Sequence, residues 1–276
     1  MNSTAETIRD QNRGMLRQSG KLRIMLWILL IVIVGAIMVI MFLLRDDRGN
    51  PIPVSSRQLI MVRTPSWTAS MGIMQRYERV DVDADWIPVG DRVNIILGRN
   101  GMGWGRGLHR IPDDGNPVKQ EGDGKSPAGV FRLGAAFGIP AIEELGDLKI
   151  PYRSVNEFLE CVDDVKSRYY NQLVAKDRIE SVDWNSSERI HGAPNAYHYS
   201  VVVEHNTIDT QKGAGSCIFL HCVSVRGDST AGCTTLSRAE MGNILSWMDS
   251  DYDPILVQLP EAEYIRLKDK WGLPEF

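Results

Sequence analysis

An apolar run at residues 24–44, which contains no charged side chain, constrains the fold more than any other feature of the sequence. At about 1.5 Å per residue, a helix of this length covers roughly 30 Å, the thickness of the hydrocarbon core of a bilayer. A buried core helix would show a polar face, and a cleaved signal peptide would have a shorter apolar region that ends at small residues. The run therefore predicts an uncleaved transmembrane anchor.

Basic residues are denser before this run than after it. Those that precede it are Arg9, Arg13, Arg17, Lys21 and Arg23; those that follow are Arg45, Arg48 and Arg57, mixed with Asp46 and Asp47. The positive-inside tendency predicts a short cytoplasmic tail at 1–23 and places the rest of the chain outside the cytoplasm. We expect a single-pass protein of the inner membrane, with its larger part periplasmic where the cell has two membranes.

The remainder of the chain has the composition of an ordinary globular protein. Hydrophobic residues make up 43% and charged residues 24%, and the 25 glycines and 13 prolines favour a turn-rich body. The net charge of -4 gives no large cationic field that would favour nucleic acid as a partner. Residues 45–57 are charged and rich in Pro, Gly and Ser, which predicts a linker, and 58–276 form one domain.

Short runs rich in β-branched residues predict strands rather than helices. The predicted strands are 58–63, 79–89, 93–97, 129–133, 199–204, 217–221 and 254–259. Ser237 and Glu240 have the spacing of a capping box and are followed by apolar residues at helical spacing, which predicts a helix there. A second short helix is predicted within 151–171. The fold class is α+β, mainly β.

The four cysteines are Cys161, Cys217, Cys222 and Cys233. In one extended strand Cys217 and Cys222 would lie about 16 Å apart on opposite faces, so they cannot bond to each other. Two of the first three cysteines form a disulfide if the fold brings them together; the interpretation that we favour makes each a small buried hydrophobic residue. Neither C-x₂-C nor H-x₃₋₅-H spacing accompanies them, so no zinc site and no other metal is expected.

Cys233 and His221 are candidates for nucleophilic catalysis. Cys233 lies in a turn of small residues, 229–233, ahead of the predicted helix, and His221 ends a predicted strand. The short connection between them lets the chain fold back, which would bring the thiol and the imidazole together. Such a pair forms a nucleophile and its general base; the alternative is a histidine bonded to a backbone carbonyl and a buried thiol.

The segment that ends in these residues, IFLH followed by STAGC at 229–233, resembles the active-site motif of the YkuD-like L,D-transpeptidases. Residues 122–131, GDGKSPAGVF, are similar to that family's GKTPxGxF segment. Weaker matches are 97–101 with Trp104, the CVDD of 161–164 with Tyr170 and Asn171, and Gly215 with Ser216. The resemblance runs from about 90 to 258, in the branch that carries TaGC.

The resemblance implies a β-rich catalytic domain that needs no cofactor and acts on peptidoglycan peptides. It implies that Cys233 is acylated by a stem tetrapeptide with release of D-Ala, that His221 is the base, and that an amine or water resolves the thioester. Ser229, Thr230 and Gly232 would line the turn, and the Gly232 and Cys233 amides would stabilise the oxyanion. Further expected members of the substrate cleft are Trp104, Arg106 and Ser216.

Three positions differ from the commonest pattern of the family. Ala231 stands where many members carry His, Asn or Arg, Thr234 and Thr235 replace the usual residues after the cysteine, and the loop between His221 and Cys233 is shorter. These differences leave open a cell-wall L,D-carboxypeptidase or amidase and motivate a further alternative, a wall-binding protein whose site has decayed. A thiol peptidase of another fold is a third hypothesis, against which the 122–131 segment argues.

Other polar residues receive simpler interpretations. His191, His198 and His205 are predicted to be surface or loop residues rather than ligands. The glycine-rich segment 98–107 lacks the pattern and context of a phosphate loop, so a flexible hairpin or cleft rim is expected. The neighbouring acids of 163–164 are predicted to form a solvated turn.

Overall fold

The computed structural model describes the residues 27, 29–31, 33–35, 49–224 and 229–276. The chain divides into two compact units, Met1–Gly49 and Asn50–Phe276. In the first unit the described residues before position 49 are helical. Among the described residues, none belongs to a helix long and apolar enough to cross a bilayer. The rest of the predicted anchor, 24–44, and the tail at 1–23 lie outside the described residues, so both stay predictions.

The second unit begins within the segment predicted to be a linker. Ile52 and Ser56 are buried, and the guanidinium group of Arg79 donates hydrogen bonds to the carbonyls of Pro53 and Ser56. Residues 50–57 therefore pack as part of this unit, because the backbone of a proline-containing segment is satisfied by a side chain from elsewhere in the domain.

The unit is mainly β, as the sequence predicts. Its strands are β1 (Gln58–Thr64), β2 (Met71–Glu78), β3 (Ile87–Ile96), β4 (Met102–Trp104), β5 (Ser126–Gly138), β6 (Tyr152–Ser154), β7 (Leu159–Val162), β8 (Leu173–Ala175), β9 (Ser187–Arg189), β10 (Tyr199–Val203), β11 (Phe219–Cys222), β12 (Thr234–Leu236) and β13 (Ile255–Pro260). Short 3₁₀ turns lie at Ile142–Glu144, Lys176–Arg178, Ile190–Gly192 and Ser250–Tyr252.

Ten strands form one mixed sheet in the order β10-β11-β12-β3-β2-β1-β13-β5-β4, and β6 and β10 also pair with β5. The adjacent strands β1 and β13 run parallel, with Leu59 opposite Ile255. Both are buried along almost their whole length. Strands that are covered on both faces have continuous apolar runs rather than alternating ones. This is why the sequences of β1 and β13, QLIMVRT and ILVQLP, predict buried strands.

Two helices cover the sheet. The predicted helix is confirmed as α1 (Arg238–Trp247), with the Ser237 hydroxyl accepting a hydrogen bond from the Glu240 backbone N–H, and it packs on β10 and β11. The second, α2 (Glu261–Trp271), packs on β13 and β1 and ends at Gly272, whose φ is +59°. The sequence interpretation missed α2, although its apolar residues recur at helical spacing and a C-terminal glycine follows it.

A separate three-stranded sheet, in the order β8-β7-β9, carries the middle of the chain. Its central strand β7 places Cys161 opposite Glu188 of β9. The predicted helix within 151–171 is wrong. The side chains of Asn156 and Asp164 accept hydrogen bonds from backbone N–H groups two residues on, and such turns compete with a helix.

The predicted strand at 79–89 is confirmed only at 87–89, where β3 begins, and is wrong over 79–86. Residues 71–78 and 87–96 form the strands, and the connection between them leaves Val80 and Val82 exposed. Apolar and acidic residues alternate here, which suggested a strand. The Asp81 carboxylate instead accepts a hydrogen bond from the Asp83 N–H, so turn chemistry outweighs the alternation.

Steric crowding explains why the second glycine of the GKSPAGVF segment, Gly129, carries no side chain. Gly129 lies in β5 with φ +132°, and a Cβ atom there would come within 1.8 Å of the His109 ring. His109 is itself held in place by the Val130 backbone N–H, which donates to its Nδ1 atom. The segment is therefore shaped by packing of β5 against this ring.

We predict that Gly129→Ala prevents folding or lowers the free energy of unfolding by at least about 3 kcal/mol, because strain at positive φ and overpacking add. Urea unfolding measures the effect. Gly115→Ala is the matched control, since Gly115 has φ +75° but open space around its Cβ position. Equal losses in the two variants would contradict the steric explanation.

Candidate functional site

Cys233 lies immediately before β12, beside β11. These two strands pair in parallel, with Leu220 opposite Thr234 and His221 opposite Thr235. The register therefore places Cys233, which directly precedes Thr234, beside Phe219, two residues before His221 on β11. Cys233 and His221 both line one cleft of about 400 Å³, so the structure brings together the two residues that the sequence singled out.

The thiol of Cys233 is held by two backbone groups. The Phe219 N–H donates to its Sγ atom at 3.4 Å, and the S–H group donates to the Cys217 carbonyl at 3.5 Å. The side chain is buried, and this burial raises the pKa of the Cys233 thiol well above its usual range, with the negative charge of Glu188 adding to the shift. At rest the group is a neutral thiol.

The imidazole of His221 is oriented by the backbone. Its Nδ1 atom lies 2.8 Å from the Cys222 carbonyl; since a carbonyl only accepts, Nδ1 carries the proton and Nε2 is the basic nitrogen. Burial lowers the pKa of His221 to about 4, although contacts with the carbonyls of Cys222 and Ala196 oppose the shift. At rest Cys233 is therefore a thiol and His221 a neutral imidazole. Each is hydrogen-bonded to backbone groups rather than to the other.

Hydroxyl groups hold the turn before Cys233. The Thr230 Oγ1 atom accepts from the Gly232 N–H at 3.1 Å and donates to the Cys233 carbonyl at 2.6 Å. The Ser126 hydroxyl donates to the same carbonyl at 3.3 Å. Of the two amides expected to stabilise an oxyanion, that of Gly232 is thus engaged, whereas the Cys233 N–H meets no acceptor within the described part of the chain.

Charged residues that the sequence interpretation missed also line the cleft: Lys119, Glu121, Asp163 and Glu188. The Lys119 ammonium group is paired with Asp123 at 2.6 Å. Burial raises the pKa of Glu188, and the neighbouring charge of Asp163 raises it further. Among the described lining residues, the charged side chains are therefore acidic except for Lys119, which is paired with Asp123.

The solvated turn predicted at 163–164 is wrong for Asp163. Its Oδ1 atom is shielded from solvent and has no hydrogen-bond partner in the described structure. Asp164 does form a turn, in which its carboxylate accepts from the backbone N–H groups of Lys166 and Asn185. The sequence could have indicated that Glu121 lies in the cleft, because this residue directly precedes the 122–131 segment. No local pattern distinguishes Glu188, because β9 meets the cleft only through its pairing with β7.

The remaining expected cleft residues divide into two groups. Ser229, Thr230, Gly232 and Ser216 line the cleft of Cys233, and the Ser216 hydroxyl donates to Glu121 at 2.7 Å. Trp104 does not: its side chain is fully buried in the core. Arg106 lies elsewhere, in a second cleft of about 410 Å³ that it shares with His109. The rim predicted for these two residues is therefore wrong.

The cysteines pair in a way that the favoured interpretation did not expect. Cys161 and Cys217 form a disulfide, with their Cα atoms 5.9 Å apart. Cys217 is not in the predicted strand, because β11 begins at Phe219 and Cys217 has a φ of +54°. Cys222 is a buried free thiol, as predicted.

One histidine interpretation is also corrected. His191 is exposed, as expected, but His205 is only 1% exposed. The His205 Nδ1 atom accepts from the Arg106 N–H, and its Nε2 atom lies 3.0 Å from the Ala214 carbonyl. It is a neutral structural residue that ties the 98–107 segment to the loop after β10.

Buried neutral histidines make stability depend on pH. Burial lowers the pKa of His109 to about 4, of His205 to about 3 and of His221 to about 4, from an ordinary 6.5. The unfolded chain takes up these protons first, so the stabilisation is complete above pH 6.5 and is lost as the pH falls toward 4. Glu188, with a raised pKa, opposes this loss in part.

We therefore predict that the free energy of unfolding, measured with urea, falls steadily from pH 7 to pH 4.5. His191→Gln is the control, because it removes an exposed histidine and should leave the slope unchanged. A free energy that is constant over this range would contradict the prediction.

The comparisons with known proteins identify no relative. No protein-family model, no curated protein and no solved structure matches the chain.

Proposed function

We propose that this protein is a cysteine acyltransferase of the L,D-transpeptidase kind, which acts on peptidoglycan stem peptides. The observation that carries the proposal is the placement of the Cys233 thiol and the His221 imidazole in one cleft, on paired strands, with the His221 Nε2 atom as the basic nitrogen. The resemblance of 122–131 and 229–233 to the YkuD-like family supports the substrate class.

The first half-reaction acylates the enzyme. His221 Nε2 takes the thiol proton as Cys233 Sγ attacks the carbonyl carbon at the L-centre of a tetrapeptide. The carbonyl oxygen becomes an oxyanion, for which the Cys233 N–H, which meets no acceptor among the described residues, is the proposed donor. The C–N bond then breaks, the imidazolium protonates the departing amine of D-Ala, and a thioester remains on Cys233.

The second half-reaction releases the acyl group. An amine of a second stem peptide, or water, loses a proton to His221 Nε2 and attacks the thioester carbonyl. The C–S bond breaks, and the imidazolium returns its proton to the thiolate. Because burial opposes charge on both Cys233 and His221, proton transfer accompanies each attack rather than preceding it.

The acidic lining bears on which reaction follows. Lys119, the cation among the described lining residues, is already paired with Asp123, so a substrate carboxylate finds no free positive partner among those residues. Thr234 and Thr235, which follow Cys233 where the family usually carries an Arg or Asn, likewise offer no positive charge to that carboxylate. An L,D-carboxypeptidase and a wall amidase, which can use the same thioester chemistry, are alternatives within the proposal.

The cellular location belongs to the same proposal. We place the catalytic unit outside the cytoplasm, held at the inner membrane by 24–44, where peptidoglycan is accessible. The Cys161–Cys217 disulfide supports an oxidising compartment, since such bonds are rare in the cytosol.

One observation favours a second candidate, a wall-binding protein without activity. The Cys233 S–H group donates to the Cys217 carbonyl and not to His221, so in the resting structure the thiol proton does not point to the proposed base. This candidate predicts that a thiol-acylating carbapenem leaves Cys233 unlabelled while wall fragments still bind.

The test incubates the full chain, in detergent, with disaccharide-tetrapeptide and follows products by mass spectrometry. Cross-linked dimer with loss of D-Ala is expected, and Cys233→Ala should abolish it because no thioester forms. His221→Gln should reduce the rate by about 10²-fold or more, since it removes the base.

The possible outcomes separate the candidates. Tripeptide without dimer would make the protein a carboxypeptidase. An unaltered rate in a folded Cys233→Ala variant would refute thiol catalysis altogether. Absence of product from folded wild-type protein, together with binding of wall fragments, would favour the second candidate.

We also predict a positioning role for the Thr230 hydroxyl. Thr230→Val preserves shape but removes the bonds to Gly232 N–H and to the Cys233 carbonyl. We expect kcat to fall by about tenfold or more, because small displacements of a nucleophile are costly. Thr230→Ser, which keeps the hydroxyl, is the control, and a Val variant as active as wild type would contradict the role.

A further inference from the structure

We propose that the Cys161–Cys217 disulfide is a positioning element for the nucleophile: it fixes the carbonyl that holds the Cys233 thiol and joins two walls of the cleft. The inference rests on the proposed function, since it assigns a role in the chemistry of Cys233. It predicts that activity requires the oxidised form of this pair.

The first support is the conformation of Cys217. Its φ of +54° is unusual for a residue with a side chain, so the surroundings must hold it. Its N–H donates to Asn171 Oδ1 at 2.9 Å, its side chain is tied to Cys161, and its carbonyl accepts from the Cys233 S–H group. One residue therefore connects the disulfide directly to the nucleophile.

The second support is what the disulfide joins. Cys161 lies on β7 of the three-stranded sheet, opposite Glu188 of β9 and two residues before Asp163. Glu188 and Asp163 line the cleft from this sheet, whereas Cys217 and Cys233 line it from the large sheet. The covalent bond therefore links the acidic wall to the wall that bears the thiol.

Loss of the disulfide should loosen this region without unfolding it. Phe137, Tyr197 and Phe219 pack edge to face or tilted against one another beside it. The Asn171 Nδ2 group also donates to the carbonyls of His205 and Asn206. These contacts remain when the S–S bond is removed, so the main change is freedom of the Cys217 carbonyl and of the acidic wall.

The test compares the full wild-type chain with the double variant Cys161→Ser/Cys217→Ser. Two readouts are taken: kcat and KM with disaccharide-tetrapeptide, and the rate of Cys233 alkylation by iodoacetamide against pH, followed by peptide mapping so that Cys222 is counted separately. We expect kcat to fall by about tenfold or more with a smaller change in KM. Alkylation of Cys233 should become faster, with its midpoint shifted to lower pH, because the thiol is less buried.

A reductant provides the matched control. A phosphine opens the disulfide in folded wild-type protein, becoming the phosphine oxide while water supplies its oxygen and the two thiol protons. This treatment should reproduce both changes in wild type and have no further effect on the double variant. It also decides the question if the double variant does not fold.

Two results would overturn the inference. One is a reduced or doubly substituted protein whose kcat and Cys233 alkylation profile both match those of oxidised wild type. The other is an effect of the phosphine that persists in the double variant. Failure of the proposed function is distinguishable, because a protein that forms no product still reports the position of Cys233 through alkylation.

Discussion

The parallel pairing of β11 with β12 is the constraint on which the cleft depends. Parallel neighbours require a connection that leaves the sheet and returns, and here that connection ends in the turn of small residues before Cys233. The pairing sets His221 beside Thr235, and the thiol-bearing Cys233 lies two residues before Thr235. Helix α1 packs on β10 and β11, so one of the two paired strands is also held by core packing.

Burial then determines the chemistry available at the site. Both Cys233 and His221 are removed from water, which disfavours the charged form of each. Before substrate binds, Cys233 is therefore a thiol and not a thiolate. The site relies on backbone groups, namely the Phe219 N–H, the Cys217 carbonyl and the Cys222 carbonyl, to hold neutral partners in fixed orientations. The proposed mechanism follows from that neutrality.

Much of the fold was predictable because its signals are local. β1, β13 and the Ser237 cap each depend on a few consecutive residues, and the structure confirms them. The strand predicted at 79–89 was wrong over 79–86, although the competing signal there is also local: the Asp81 carboxylate accepts a hydrogen bond from the Asp83 N–H and forms a turn. Arg106 was predicted in the cleft of Cys233 but lines the second cleft. A glycine-rich segment can follow many backbone paths, so its sequence does not predict which cleft its side chains reach.

The sequence by itself singled out Cys233 in its turn and His221 at a strand end as the candidate pair, and it determined the mainly β class of the domain. Only the tertiary structure decided what surrounds them. The Cys161–Cys217 bond and the approach of Glu188 and Asp163 join segments far apart in the chain, and no short-range pattern encodes such contacts. Burial likewise belongs to the whole fold, so the direction of each pKa shift became known only there.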